Sequence, residues 1–107
     1  MAFSTNPLIH PGDSGPAPVN TIPAACEIWF TSTGRVLPKL IKFPDETGSI
    51  LTLSDFHVYH SERHFYCGIP SFVYYCKTIL SKKRILFRLF FYPESCTWKL
   101  LWEEMAN

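Results

Sequence analysis

Three features of the sequence predict an all-β chain. Residues Phe72 to Tyr92 run FVYYCKTILSKKRILFRLFFY, two stretches of β-branched and aromatic residues interrupted only by Ser81, Lys82 and Lys83. Such a pattern suits a long antiparallel hairpin. Shorter alternating apolar runs recur upstream, bounded by turns rich in Gly, Pro and Asp, and no long segment carries the 3.6-residue spacing of an amphipathic helix. Six to seven short strands joined by tight turns suggest a small antiparallel barrel of SH3-like or OB-like form, because closure removes exposed edges. A strongly bent open sheet is the alternative.

Residues 1–25 hold Pro7, Pro11, Pro16, Pro18 and Pro23 with Gly12 and Gly15. Missing amide donors and the absence of any period predict an extended, partly disordered Pro-rich tail. Its apolar residues Leu8, Ile9, Val19 and Ile22 allow it to lie against a sheet. The single β domain is expected over 26–107.

The first strand is read from Cys26 to Thr31, where Ile28 and Phe30 alternate with Glu27 and Trp29, before a turn at Thr33-Gly34. Val36 to Phe43 is the second, with Pro38 withholding an amide and so marking an edge or a bulge. Pro44 to Gly48 has turn chemistry, and Ser49 to Leu53 resumes an extended run. Phe56 to Tyr59 alternates as a strand; His60 to Pro70 reads as a loop or irregular crossover around Gly68 and Pro70. After the long hairpin, Pro93 to Cys96 turns the chain into a last strand, Thr97 to Trp102.

Within the hairpin, pairing Leu80 with Ile85 sets Cys76 opposite Leu89 and Tyr74 opposite Phe91 on the core face. Lys77 and Arg88 then share the other face with Val73, Tyr75, Phe90 and Tyr92. A one-residue slip would sink Arg88 among core side chains, a cost of several kcal/mol for an unpaired charge.

The whole chain has 107 residues, ten Lys plus Arg against nine Asp plus Glu, and a net charge of +1. No molecule-wide field therefore gathers nucleic acid or anionic lipid, and any such binding must come from a local patch. No apolar run reaches the ~18–20 residues of a bilayer span, and the N-terminus lacks the form of a signal peptide. The expectation is a soluble cytoplasmic protein without membrane contact, its four cysteines reduced.

Gly12-Asp13-Ser14-Gly15 matches the segment around the nucleophile of chymotrypsin-like serine proteases, but a triad is defined by geometry, and that family places its His and Asp well before the nucleophile in a double barrel of about twice this length, whereas only twelve residues stand between Met1 and Ser14. A Pro-rich turn explains the string. Cys67 and Cys76 lack a third group to orient an activating imidazole. No coherent catalytic constellation is present, and an enzyme is not expected.

His57, His60, His64 and Cys67 are closely spaced and carry donors that tetrahedral zinc prefers. In a strand, residues three apart point to opposite faces, so zinc requires the chain to turn between them; solvent-facing loop histidines are the simpler reading. Lys77, Lys82, Lys83, Arg84 and Arg88, with Tyr75, Phe90 and Tyr92 among them, form the most distinctive constellation. Small barrels bind single-stranded nucleic acid with such mixtures, association surfaces use them too, and lysines at a hairpin tip also simply keep it wet. Glu103 and Glu104 lie close enough in the expected sheet to mute the patch.

The string Thr33-Gly34-Arg35-Val36-Leu37-Pro38, the later Tyr74-x-Cys76 strand and the closing Trp98 resemble a family of short uncharacterised proteins of clostridia and related Gram-positive bacteria. The resemblance spans about residues 27 to 100 and implies a compact all-β body in a bacterial cytoplasm. It implies no activity, cofactor or site residue, and the bulky His60 to Pro70 segment departs from that family's small-residue loop. The leading functional expectation is an interaction module that docks a protein partner or its own twin through Tyr75, Lys77, Arg88, Phe90 and Tyr92. Single-stranded nucleic-acid binding through the same face and a zinc site are the alternatives.

Overall fold

A computed structural model describes residues 12–106 of the chain, with 104–106 as backbone alone. Seven strands follow in order: β1 (Ile22–Phe30), β2 (Val36–Pro44), β3 (Ile50–Leu53), β4 (Phe56–Tyr66), β5 (Ile69–Leu80), β6 (Lys83–Tyr92) and β7 (Thr97–Ala106). All pairings are antiparallel, in the spatial order β3-β2-β1-β7-β6-β5-β4. The expected all-β class holds, in the form of a curled half-barrel.

The curl follows from connectivity. β3 and β4 are the two edges, yet only Ser54 and Asp55 separate them, and so short a link spans at most ~11 Å. A flat sheet of this width would hold its edges ~29 Å apart. β1 makes the corner: Ile22–Ala24 pair with β7, and Ala25–Phe30 pair with β2 across a bulge at Glu27/Ile28. The strand begins four residues before Cys26, since Pro23 sits on it opposite Lys99.

The concave side encloses an aromatic core. Ile41, Phe43 and Leu53 of the short layer meet Tyr74, Cys76, Phe87, Leu89, Trp98 and Leu100 of the long one. Trp98 stacks on Phe91 at 4.8 Å and Trp102 meets Phe43 and Phe87 edge-on or tilted at 5.3 Å, geometries that add to simple burial. Cys76 is fully buried, a small hydrophobe rather than a reactive thiol.

Two expectations are corrected. The hairpin register is Leu80 with Lys83, Cys76 with Phe87 and Tyr74 with Leu89, two residues tighter than read from the sequence, because Ser81 and Lys82 alone form the turn with φ of 50° and 66°. A shift of two preserves which face each side chain takes. His60 to Pro70 is not a loop: β4 runs to Tyr66, turns at Cys67-Gly68 and enters β5 at once. The bulge between Val58 and His60 reverses the inward-outward parity midway, which hides the alternation.

Residues 1–11, part of the expected tail, lie outside the described residues. From residue 12 the chain is irregular but docked: Ser14 N donates to Phe65 O at 2.7 Å and Cys67 N to Gly15 O at 2.9 Å.

Candidate functional site

The convex face of β4 to β7 carries the basic and aromatic residues singled out from the sequence. Register places His60 opposite Tyr75, Tyr75 opposite Arg88, Val73 opposite Phe90, and His57 opposite Lys77. The face divides into a closed end near the β4–β5 turn and an open end near the β5–β6 turn.

At the closed end the face covers itself. Phe90 is fully buried with Val73 and Tyr66, flanked by Tyr75, Tyr92 and Leu101, so no partner can reach its ring. The Arg88 guanidinium lies 5.5 Å from the Phe90 ring centroid and 5.9 Å from that of Tyr75. Glu103 answers its charge, with Nε 2.7 Å from Oε1, as the sequence suggested; the Glu104 side chain is outside the described residues. Burial pushes the Tyr66 and Tyr92 hydroxyls above their ordinary pKa.

Glu62, which the sequence reading passed over, organises the histidines. Its Oε1 accepts from Tyr75 OH at 2.7 Å and lies 3.1 Å from His64 Nε2, while Oε2 lies 3.5 Å from His60 Nε2. These contacts, Tyr75 foremost, hold the carboxyl at about 2. Ser14 Oγ then stands 2.7 Å from His64 Nδ1, completing a Ser–His–Glu chain. Its order is the reverse of the acyl-transfer triad, where the serine meets Nε2. The nearby amides are also occupied, Ser14 N by Phe65 O and Gly15 N by Asp13 Oδ1, so they form no oxyanion site. The Gly-Asp-Ser-Gly string is a strap: Asp13 accepts from Gly15 N, Cys67 N and Gly68 N at 2.7, 3.1 and 2.7 Å.

Of the four residues considered for zinc, His57 and His64 are at opposite ends of β4, ~23 Å apart by strand rise, and Cys67 is exposed in the turn. Among the described residues no three His, Cys, Asp or Glu side chains gather as a metal would require.

The open end is different. His57, Lys77, Ile79 and Arg84 line a recess of about 360 Å³ shared with Asp55, Phe56 and Thr78. Lys77 Nζ is 5.9 Å from the exposed Tyr59 ring, and Ile79 sits opposite Arg84 with 72% of its surface in water. Lys82 and Lys83 extend the cationic border at the exposed tip. Ile79 and Tyr59 were not singled out from the sequence, although parity with Lys77 marks Ile79 as outward.

Two further concavities flank the core. One of about 300 Å³ opens between the start of β2 and β4–β5, with Arg35, Ser61 and Tyr74 among its lining. The other, about 450 Å³ and nearly all apolar, lies at the opposite end. Comparison with protein-family models, with curated proteins and with solved structures found no match to the chain. Among the described residues no helix is long and apolar enough to cross a membrane.

Proposed function

We propose that this chain is a non-catalytic interaction module of a bacterial cytoplasm. Its contact surface is the open end of the convex face, and its partner is a protein segment presenting carboxylates around an apolar side chain. The observation that carries this reading is Ile79, a large apolar residue in water, bordered by Lys77, Arg84 and His57. Cations alone would equally serve to keep the hairpin tip wet. An exposed aliphatic among them gives a protein contact both area and orientation, since apolar burial supplies the affinity and charge complementarity the register. Arg88, Phe90 and Tyr75 belong to the closed end of the same face and lie outside this contact surface.

Selection of displayed random peptides on the immobilised chain tests the reading. Selected sequences should place Asp or Glu around an apolar residue and lose binding to Ile79→Ser and to Lys77→Ala/Arg84→Ala alike. Peptides indifferent to Ile79 would refute it. So would a single-stranded oligonucleotide whose binding falls steeply with salt yet survives Ile79→Ser, since that outcome assigns the face to nucleic acid.

A further inference from the structure

The apolar groove at the hairpin-tip end arises because β3 is only four residues long and stops covering the core. Ile22, Phe43, Leu51, Leu80 and Trp102 are left lining about 450 Å³ of open space, with Asp45 and Glu46 at the same groove. Ile50 and Leu51 beside it are exposed. Asp45 is fixed in place: its Oδ1 accepts from Thr47 N, Thr47 Oγ1 and Ser49 N at 2.8, 2.6 and 2.9 Å.

This groove is the chemical complement of the open end of the convex face. One surface is an apolar residue bordered by cations; the other is an apolar hollow bordered by carboxylates. The two share the hairpin-tip end of the molecule and lie on opposite faces of β5, since Leu80 turns into the groove while its neighbour Ile79 turns outward. Complementary patches that share one end of a molecule satisfy each other through a two-fold axis, each copy giving its cations to the other's carboxylates. An open head-to-tail chain would leave one patch unfilled at each end.

We propose that the partner is a second copy of this chain, paired about a two-fold axis so that Lys83 and Arg84 of one copy face Asp45 and Glu46 of the other over the shared apolar groove. This rests on reading the open end as the contact surface and names its occupant. Ile79 and Leu80 of each copy enter the contact, and the exposed Ile50 and Leu51 are covered.

Charge-swapped chains test the pairing by sedimentation equilibrium. The wild-type chain should show a monomer–dimer equilibrium weakened by salt. Glu46→Lys alone and Lys83→Glu/Arg84→Glu alone should each reduce association by roughly tenfold or more, because like charges then meet twice in every dimer. An equimolar mixture of the two variants should recover association as a heterodimer, in which both contacts are again opposite in sign. Recovery also excludes misfolding as the cause of the losses. A wild-type chain that stays monomeric at every concentration overturns the pairing, as does a mixture no better than its components. A monomeric chain that still selects acidic peptides through Ile79 refutes the pairing alone; a dimer indifferent to Ile79→Ser refutes the role of the convex face.

Discussion

Arg88 Nε on β6 stands 2.7 Å from Glu103 Oε1 on β7, with the two side chains 28% and 30% exposed. The approach is off the N–H axis, so Nε makes no directed hydrogen bond and the attraction is ionic. Arg88 also lies over Phe90 and Tyr75, which makes the cation a lid on the small convex cluster rather than a group offered outward. Exposed pairs contribute ~0–1 kcal/mol and breaking buried ones costs ~3–5; this pair lies between. Glu103→Gln is expected to cost about 1–2 kcal/mol in urea unfolding, and Arg88→Ala more, because it also uncovers the rings. Equal costs for the two changes would show that the covering of Phe90 contributes nothing.

Tyr75 and Glu62 form the second relationship with a measurable consequence. Hydrogen bonds from Tyr75 first, then from His64 and His60, bring the Glu62 carboxyl from 4.5 to about 2. Donation to Glu62 pushes the Tyr75 phenol from 10 up to about 12. For Glu62 the unfolded chain takes up a proton first as pH falls, so its contribution is whole above about 4.5 and disappears as pH drops toward 2. For Tyr75 the unfolded chain loses its proton first, so the contribution is whole below 10 and disappears as pH rises to about 12. In Tyr75→Phe the Glu62 midpoint should climb back toward 4.5, read from its carboxyl carbon by NMR. A midpoint that does not move would mean that this bond is absent in solution.

The strap at Asp13 joins residues 54 and 55 positions apart. Asp13→Ala leaves the Gly68 amide without its carboxylate acceptor and removes one of two acceptors from the Cys67 amide, the other being Gly15 O. Charge-assisted bonds of this kind are the stronger sort, so the loss is expected to cost about 1–2 kcal/mol. It should also speed hydrogen exchange at Gly68 while leaving Cys76 at the barrel centre protected. If Gly68 exchanges at the wild-type rate, the segment is held by something other than this carboxylate.

What was legible in the sequence is what parity alone decides. Tyr74, Cys76, Phe87 and Leu89 alternate strictly, so their burial survives even a register displaced by two. The fold class and the proximity of Glu103 to Arg88 follow from the same alternation. Parity fails at Tyr59, where a bulge on the β4 edge flips the phase; the polar His60, Glu62 and His64, solvated on an edge strand, then resemble a loop. Phe90 was read as an accessible ring because its covering residues Tyr66 and Leu101 come from other strands, and no local pattern announces tertiary cover. Asp13 and Ser14 were likewise unreadable, since their partners belong to a turn half the chain away. The open recess at Ile79 was half visible: the cations were evident, but the exposure of the aliphatic among them depends on tertiary packing that no local pattern carries.

The turn that sets the register is itself under strain. Ser81 and Lys82 take φ of 50° and 66°, the left-handed region that a two-residue hairpin of right-handed twist demands and that Asn and Gly occupy far more readily than Ser and Lys. Non-glycine residues held there cost on the order of 1 kcal/mol each. Nine consecutive pairs from Leu80↔Lys83 to Phe72↔Phe91 outweigh that cost, because the tight turn lets the ladder begin at Leu80 and Lys83. Ser81→Asn/Lys82→Gly is therefore expected to raise the unfolding free energy by about 1 kcal/mol without changing the Cys76↔Phe87 pairing, which cross-strand NOEs report. Destabilisation, or NOEs that move to the wider Cys76–Leu89 pairing, would show that the four-residue connection is the native one and that the two-residue turn is not.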